Sequence, residues 1–346
     1  AAVELKNVLQ IDPKHAEAYF LIAQVEEAKR NYQRAFGNFA KALELKPDYP
    51  EARAKLARYY LLSGDIAKAT ELTEALLAKN PTDLDARLLK ASIMSRQGND
   101  RGAIQVATEI VAAQPDYSYA VELLAAIYVK QTKLDAAVDV LEKGAAANQK
   151  SVSLRMQLAQ LYSNKNERDK AERLLREVVA VEPGKLQYRS NLAAFLSQTK
   201  QLDKAETVLR EAVQADPKDP QRHLLLADFL ASRVNVKKAE TELLASIKSL
   251  PDANELRFAL GMLYEQAGAL DKSAAAYREV ASSEGKKPDG LKARNKLANI
   301  LLAQNQSAEA DKLINEVLKE NARDNDALIL QGKAALNKGD GLTAIN

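Results

Sequence analysis

Residues 36–60 read FGNFAKALELKPDYPEARAKLARYY, and residues 209–230, LREAVQADPKDPQRHLLLADFL, repeat the same pattern. In both stretches, small or apolar residues recur every three or four positions on either side of a short segment that contains proline. This spacing predicts an apolar face on each of two helices. Proline ends the first of them, because it lacks an N–H and disfavours helical geometry in the residue before it. The sequence therefore predicts helix, turn and helix in succession.

The pattern returns at a fixed interval. One series of prolines consists of Pro13, Pro47, Pro81, Pro115, Pro183, Pro217 and Pro251. Successive members of this series are 34 residues apart, except for one gap of 68. Two alanine series, which start at Ala23 and Ala35, keep the same interval. Small side chains at fixed places allow two antiparallel helices to approach closely. A period of 34 residues is typical of helix-turn-helix solenoids.

With positions numbered 1 to 34 from Ala16, these residues resemble the tetratricopeptide repeat (TPR) family, which has small residues at positions 8, 20 and 27 and proline at position 32. The resemblance implies an all-α fold, a right-handed superhelical solenoid of antiparallel helix pairs. It covers residues 1–346 as a single array. Residues 1–15 are expected to be the second helix of a preceding repeat and residues 325–346 a truncated repeat. Nine repeats are predicted to start at residues 16, 50, 84, 118, 152, 186, 220, 254 and 291.

Three departures from the family pattern stand out. Gln149 occupies the proline position of one repeat, and three extra residues fall within GKKPDG, so bends are expected near 148–151 and 285–290. Position 4, usually apolar, is arginine in six repeats: Arg53, Arg87, Arg155, Arg189, Arg257 and Arg294. These guanidinium groups could bind phosphates or acidic sugars, but position 4 faces the helix pair, which favours a structural role.

Positions 2, 5 and 9 of the first helices are expected to line a concave groove. The candidate partner-binding residues are Phe20, Arg58, Leu88, Ser92, Tyr119, Glu122, Met156, Gln160, Leu224, Asp228, Phe258, Met262, Asn295 and Asn299. Apolar groups interleaved with amides and hydroxyls suit an extended peptide or an amphipathic helix of a protein partner. The alternative is that several of these side chains pack against the adjacent repeat. No repeat has lysine at position 5, unlike the family members that grip the carboxylate of chaperones.

Composition argues against several other classes of function. The chain contains 50 Lys and Arg and 47 Asp and Glu, a formal charge of +3, which disfavours nucleic-acid binding. The chain has no cysteine and only His15 and His223, and it lacks phosphate-binding glycine motifs. We therefore expect no catalytic residues, no metal and no cofactor. No stretch approaches the roughly 20 apolar residues of a membrane-spanning helix.

Three classes of function remain open: an interaction scaffold for a protein partner, a regulatory or substrate-recruiting arm of an enzyme whose catalytic domain lies outside this chain, and polysaccharide or nucleic-acid binding. AAVELKNVLQIDPKHAEAYFLIAQ and KAETVLREAVQADPKD resemble bacterial envelope TPR lipoproteins of exopolysaccharide and exosortase (PEP-CTERM) systems. That resemblance implies a periplasmic scaffold for export or sorting, lipid-anchored outside this chain. A cytoplasmic scaffold is the alternative. The chain starts without methionine, and we expect it to be a fragment.

Overall fold

The computed structural model describes residues 2–337, and within that range the chain consists of helices joined by short turns, without a strand. The predicted all-α fold built from helix pairs is confirmed. The chain divides into two compact units, Ala1–Val181 and Glu182–Asn346, here called the first half and the second half.

The described helices of the first half each end at a turn of two to four residues. They are α1 (Ala2–Ile11), α2 (Ala16–Ala28), α3 (Tyr32–Leu45), α4 (Pro50–Ser63), α5 (Ile66–Lys79), α6 (Leu84–Arg96), α7 (Asp100–Ala113), α8 (Ser118–Lys130), α9 (Leu134–Ala147), α10 (Val152–Asn164) and α11 (Arg168–Val181).

The described part of the second half continues the alternation. Its helices are α12 (Leu186–Gln198), α13 (Leu202–Ala215), α14 (Pro220–Phe229) with a π-helical turn (Leu230–Val234), α15 (Val236–Ser249), α16 (Asn254–Gln266), α17 (Leu270–Glu284), α18 (Pro288–Ala303), α19 (Ser307–Glu320) and α20 (Asn325–Asn337).

The first helices of the repeats keep the register of the sequence period. From α2 to α16 they begin at the residues where the 34-residue interval places them. The ninth repeat differs, because α18 begins at Pro288, three residues before Leu291. The three extra residues are absorbed mainly by a longer α18. Residues 338–346 of the tenth repeat lie outside the described residues.

Small side chains allow the two helices of each repeat to approach closely. Ala23 and Ala57 at position 8, and Ala35 and Ala69 at position 20, have no exposed surface. Such alanines leave room for the large apolar side chains of the opposite helix, and the resulting layers form the core of each repeat.

The turn between the two helices of a repeat needs a left-handed residue at position 15. Positive φ angles occur there at Arg30, Gly64, Gly98, Thr132, Asn166, Lys200, Gly268 and Asn305. In the seventh repeat the residue is Val234, whose branched side chain disfavours positive φ. There the first helix ends instead through the π-helical turn Leu230–Val234.

The arginines at position 4 connect each first helix to its surroundings within the repeat. Four pair with a glutamate of the second helix: Arg87 with Glu109, Arg155 with Glu177, Arg257 with Glu279 and Arg294 with Glu316. A second contact goes to the carbonyl of the proline that precedes the repeat. Arg53 and Arg189 donate to it, and so does Arg257 in addition to its ion pair. The structural interpretation of these residues is confirmed.

His223 stands where these arginines stand in other repeats. Its ring nitrogens lie 2.8 Å from Ser246 Oγ and 3.0 Å from the Pro217 carbonyl oxygen, and the side chain is buried. It therefore connects the same two elements as the arginines do, the second helix and the preceding turn.

The two places where bends are expected differ in their local structure. The turn at 148–151 keeps the usual length, and Asn148 Nδ2 donates to the Asp116 carbonyl and to Ser118 Oγ. At 285–290 the chain turns at Gly285, which has a φ of 56°, and α18 begins early. A Cβ atom at Gly290 would lie 2.2 Å from the Gly285 carbonyl oxygen, so this contact requires glycine. The bends themselves stay a prediction.

Candidate protein-binding surfaces

Position 5 of the first helices is less accessible than expected. Phe20, Leu88, Phe258 and Asn295 are buried, whereas Glu122, Met156 and Leu224 at the same position are half-buried. Position 5 lies in the crevice between successive first helices, where the next repeat covers it. These four buried side chains fit the alternative, packing against the adjacent repeat, although Leu88 and Asn295 also line cavities described below. Partner binding at position 5 stays a prediction.

Three of these buried side chains illustrate the packing. The Phe20 ring lies 5.0 Å from that of Tyr49, in a cluster that includes Ala52 and Leu56 of the next repeat. Phe258 packs on Tyr277 of its own repeat, with ring centroids 5.9 Å apart, in a cluster that includes Ala293 and Leu297 of the next repeat. Asn295 donates through Nδ2 to Asp324 Oδ1, at 2.9 Å.

Positions 2 and 9 face solvent. Arg58, Gln160, Asp228, Met262 and Asn299 at position 9 are exposed, as is Tyr119 at position 2, and Ser92 at position 9 is half-buried. At about 100° per residue, positions 9 and 2 lie at roughly 180° and 200° around the helix, and position 5 at roughly 140°. The accessible face is therefore centred farther around the helix than the sequence analysis placed it.

Five of the predicted residues come together in one pocket of the first half, with a volume of about 430 Å³. It is lined by Arg58, Leu61, Leu88, Leu89, Ser92, Tyr119, Glu122, Leu123, Ala126 and Gln157. The leucines form an apolar floor, and Arg58, Tyr119, Glu122 and Gln157 place polar ends around it. Met156 and Gln160, predicted for the same surface, are not among the lining residues.

Tyr119 lines this pocket and packs against Tyr117, which lies outside the lining. Tyr119 is 59% exposed, and its ring stands edge-on to that of Tyr117, with centroids 6.0 Å apart. The Tyr117 hydroxyl donates to Asp85 Oδ1. Burial, together with this bond, raises the pKa of Tyr117, while the positive charge of Arg58 opposes the shift. Tyr117, bonded to Asp85, thus presents its ring to the exposed Tyr119 ring.

Arg58 and Glu122 put opposite charges on the pocket. Among the described residues, neither side chain forms a hydrogen bond or an ion pair. Both remain available to charged groups of a bound molecule, beside the apolar leucines.

The predicted residues of the second half do not form one site. Asp228 lines a cavity of about 250 Å³ between α12 and the end of α14, with the π-helical turn at its edge. Asn295 and Asn299 line another, between α18 and α20. Leu224 is half-buried and Met262 is 48% exposed, and neither lines these cavities.

Position 6 also lines the first-half pocket, although the sequence pattern did not indicate it. Leu89 and Leu123 in the first-half pocket, and Gln157 beside them, all occupy it. Position 6 lies at roughly 240° around the helix, outside the range of roughly 140–200° that positions 5, 9 and 2 occupy. Counting outward on both sides of the exposed position 9 would have included it.

Two features are absent from residues 2–337. No helix in that range is both long and apolar enough to cross a lipid bilayer. The same residues hold no group of three or more His, Asp or Glu side chains placed to bind a metal ion.

The fold agrees with family comparisons. Two models, both described as tetratricopeptide repeat, match the chain: one at residues 26–93, 60–127, 128–195 and 169–229, the other at 1–50, 223–289 and 295–345. These matches cover most of the chain. The chain belongs to the tetratricopeptide repeat family.

Individual relatives are similar over short stretches. DnaJ protein P58IPK homolog B of Oryza sativa subsp. japonica is 33% identical over 103 residues, 26% of this chain and 22% of that protein. The probable biofilm formation methyltransferase WspC of Pseudomonas putida is 32% identical over 74 residues, 21% of this chain and 18% of that protein. The chain thus spans about a fifth of the length of these curated relatives.

Among solved structures, that of Naa15/Naa10 bound to HypK-THB is similar over 98% of this chain and 58% of that chain. The sequence identity is 16% and the TM-score is 0.47.

Proposed function

We propose that the chain is a non-enzymatic scaffold that binds a peptide or an amphipathic helix of a protein partner on its first-helix surface, within a multi-protein assembly. The observation that carries this proposal is the first-half pocket, where an apolar floor is bordered by Arg58 and Glu122, neither of which has a hydrogen-bond or ion-pair partner in the described part of the chain. Its volume of about 430 Å³ lies within the usual range of binding clefts, about 300–1,000 Å³.

The arrangement suits a segment that presents one apolar side chain between an acidic and a basic one. The apolar side chain contacts Leu89 and Leu123, and the flanking charges reach Arg58 and Glu122. The Tyr119 ring, rigid and amphipathic, contributes contact area at small entropic cost. Association would be driven mainly by the apolar floor, and the two charges would orient the partner.

Site-specific photo-crosslinking in the source cells tests this proposal. A photoreactive phenylalanine analogue replaces Tyr119, and a matched control replaces Glu74, which is exposed on the second helix α5. We expect one recurrent protein adduct from position 119, its loss with Arg58→Glu, and no such adduct from position 74. Adducts with glycan or nucleic acid alone, or equal adducts from both positions, would sink the proposal.

We propose further that this assembly belongs to an export or sorting system of the bacterial cell envelope. The support is the resemblance of residues 1–24 and 204–219 to envelope TPR lipoproteins. Protease treatment of source-cell spheroplasts tests this localisation, because a periplasmic chain is digested while a cytoplasmic one is protected. Protection would instead favour a cytoplasmic scaffold.

A second candidate function is the substrate-recruiting arm of an enzyme. The observation in its favour is the 32% identity over 74 residues to a protein named a probable methyltransferase. Peptide mapping of the protein purified from source cells decides this point. A catalytic domain on the same polypeptide would favour the arm over the free-standing scaffold.

A further inference from the structure

The second half holds a cavity of about 250 Å³ between α18 and α20 whose charged lining residues are three lysines and one aspartate. It is lined by Lys292, Asn295, Lys296, Asn299, Asp326, Ile329, Leu330 and Lys333. The lining residues of α18 are spaced as one face of a helix, and so are those of α20. These two faces oppose one another across the cavity. Three ammonium groups face one carboxylate.

The lysines of this cavity lack acidic partners among the described residues. Lys292 Nζ lies 4.6 Å from the centroid of the Phe258 ring, a cation–π contact, and neither Lys296 nor Lys333 forms an ion pair in that part of the chain. Lysines elsewhere are often paired between repeats, as Lys272 is with Glu240 and Lys286 with Glu320. The cavity therefore carries a net positive charge that no ion pair in the described chain neutralises.

Asn295 adds an unused hydrogen-bond acceptor. Its side chain is 6% exposed, and Oδ1 has no donor among the described residues. The orientation of the amide is fixed, because Nδ2 donates to Asp324 Oδ1, which also accepts from the Ala327 N–H at the start of α20. Turning the amide over would set two acceptors against each other. A buried acceptor without a donor is uncommon in folded proteins, and a bound N–H group would satisfy it.

We propose that this cavity binds an extended acidic segment of a protein partner. A main-chain N–H of the segment donates to Asn295 Oδ1, and an adjacent Asp or Glu side chain is held by Lys292, Lys296 and Lys333. An apolar neighbour covers Ile329, which is 59% exposed. Charge complementarity selects an acidic peptide, and the single buried acceptor selects a ligand with an N–H group, which a phosphate or a nucleic-acid backbone does not offer.

The site is chemically distinct from the first-half pocket, which offers one charge of each sign. The inference rests on the proposed function in one respect only, namely that the bound partner is a protein. The two proposals can fail separately, because the crosslinking test probes position 119 and the test of this site probes α18 and α20.

Fluorescence anisotropy of the whole chain with synthetic peptides tests the proposal. The probe is a short fluorescein-labelled, C-terminally amidated peptide with two glutamates followed by leucine in a glycine–serine background. The pocket variant combines Lys292→Gln, Lys296→Gln and Lys333→Gln. A matched control combines Lys218→Gln, Lys237→Gln and Lys248→Gln, which removes the same charge from exposed lysines without ion pairs in the described chain.

We expect the pocket variant to weaken binding about tenfold or more, the control to leave it nearly unchanged, and a glutamine version of the peptide not to bind. N-methylation of the residue beside the glutamates should also weaken binding, because it removes the N–H that Asn295 Oδ1 accepts. Equal losses in both triple variants would show non-specific charge attraction and overturn the proposal. So would an N-methyl scan without effect, or binding of inorganic polyphosphate or oligonucleotide in place of the peptide.

Discussion

Single residues determine how each helix is fixed to the elements around it. Arg155 is 8% exposed, and its guanidinium donates to Glu177 Oε2 at 3.2 Å, to the Ser151 carbonyl at 3.0 Å and to the Asn148 carbonyl at 3.3 Å. One side chain thus joins its own helix, the second helix of the repeat and the preceding turn. Position 4 therefore tolerates arginine because a glutamate and free carbonyl lone pairs lie within its reach.

Replacing this arginine should destabilise the repeat. Arg155→Ala removes charge-assisted hydrogen bonds and the packing of the stem, and we expect a loss of about 1–3 kcal/mol in the free energy of unfolding. Arg58→Ala is the control, because Arg58 is exposed and makes no ion pair among the described residues; its effect should stay within about 0.5 kcal/mol. Urea denaturation measures both, and equal effects would contradict the structural role of position 4.

The binding residues were harder to predict than the arginines, and the reason is geometric. The sequence shows that Phe258 and Met262 share one side of a helix, but the next repeat covers Phe258 and leaves Met262 at 48% exposure. Burial between repeats depends on the distance and tilt of neighbouring first helices, which the period of a single chain does not specify. The positions of the helices were predictable because the same sequence pattern recurs in each repeat.

Within a helix pair, a small residue on one helix makes room for a large side chain on the other. Gly261 replaces the alanine of position 8, and a Cβ atom there would lie 2.5 Å from Cε1 of Tyr277 on the second helix. Tyr277 cannot move aside easily, because its ring is fully buried and its hydroxyl donates to Glu265 Oε1 at 2.5 Å. Its pKa is raised by burial first and by this bond second. The glycine is therefore required by the tyrosine.

Two glycine-to-alanine substitutions should accordingly have opposite signs. Gly261→Ala forces overpacking, which costs about 1–3 kcal/mol and outweighs a gain in helix propensity of about 1 kcal/mol. Gly37→Ala lies within α3 with no atom within 4 Å of the new methyl group, so we expect a gain of about 0.5–1 kcal/mol. Thermal unfolding followed by circular dichroism measures both, and a stabilising Gly261→Ala would contradict the packing described.

At the scale of the whole chain, a repeat protein shares stability between neighbours. Within each half, a helix packs mainly on the helices before and after it and on the first helix of the adjacent repeat, as α16 does on α14, α15 and α17. In such an array the free energy of unfolding is approximately a sum of repeat terms and interface terms. A local change should therefore act locally.

Hydrogen exchange of Gly261→Ala tests this description. Because the strained contact joins α16 and α17, amide exchange should accelerate in α14 to α19, whose repeats share interfaces with it. Exchange in α2 to α9 should match that of the unchanged protein. Gly37→Ala serves as the control, since its effect should be confined to slower exchange near α3. A uniform acceleration over residues 2–337 would instead mean that the chain opens as one cooperative unit, and the nearest-neighbour description would then be wrong.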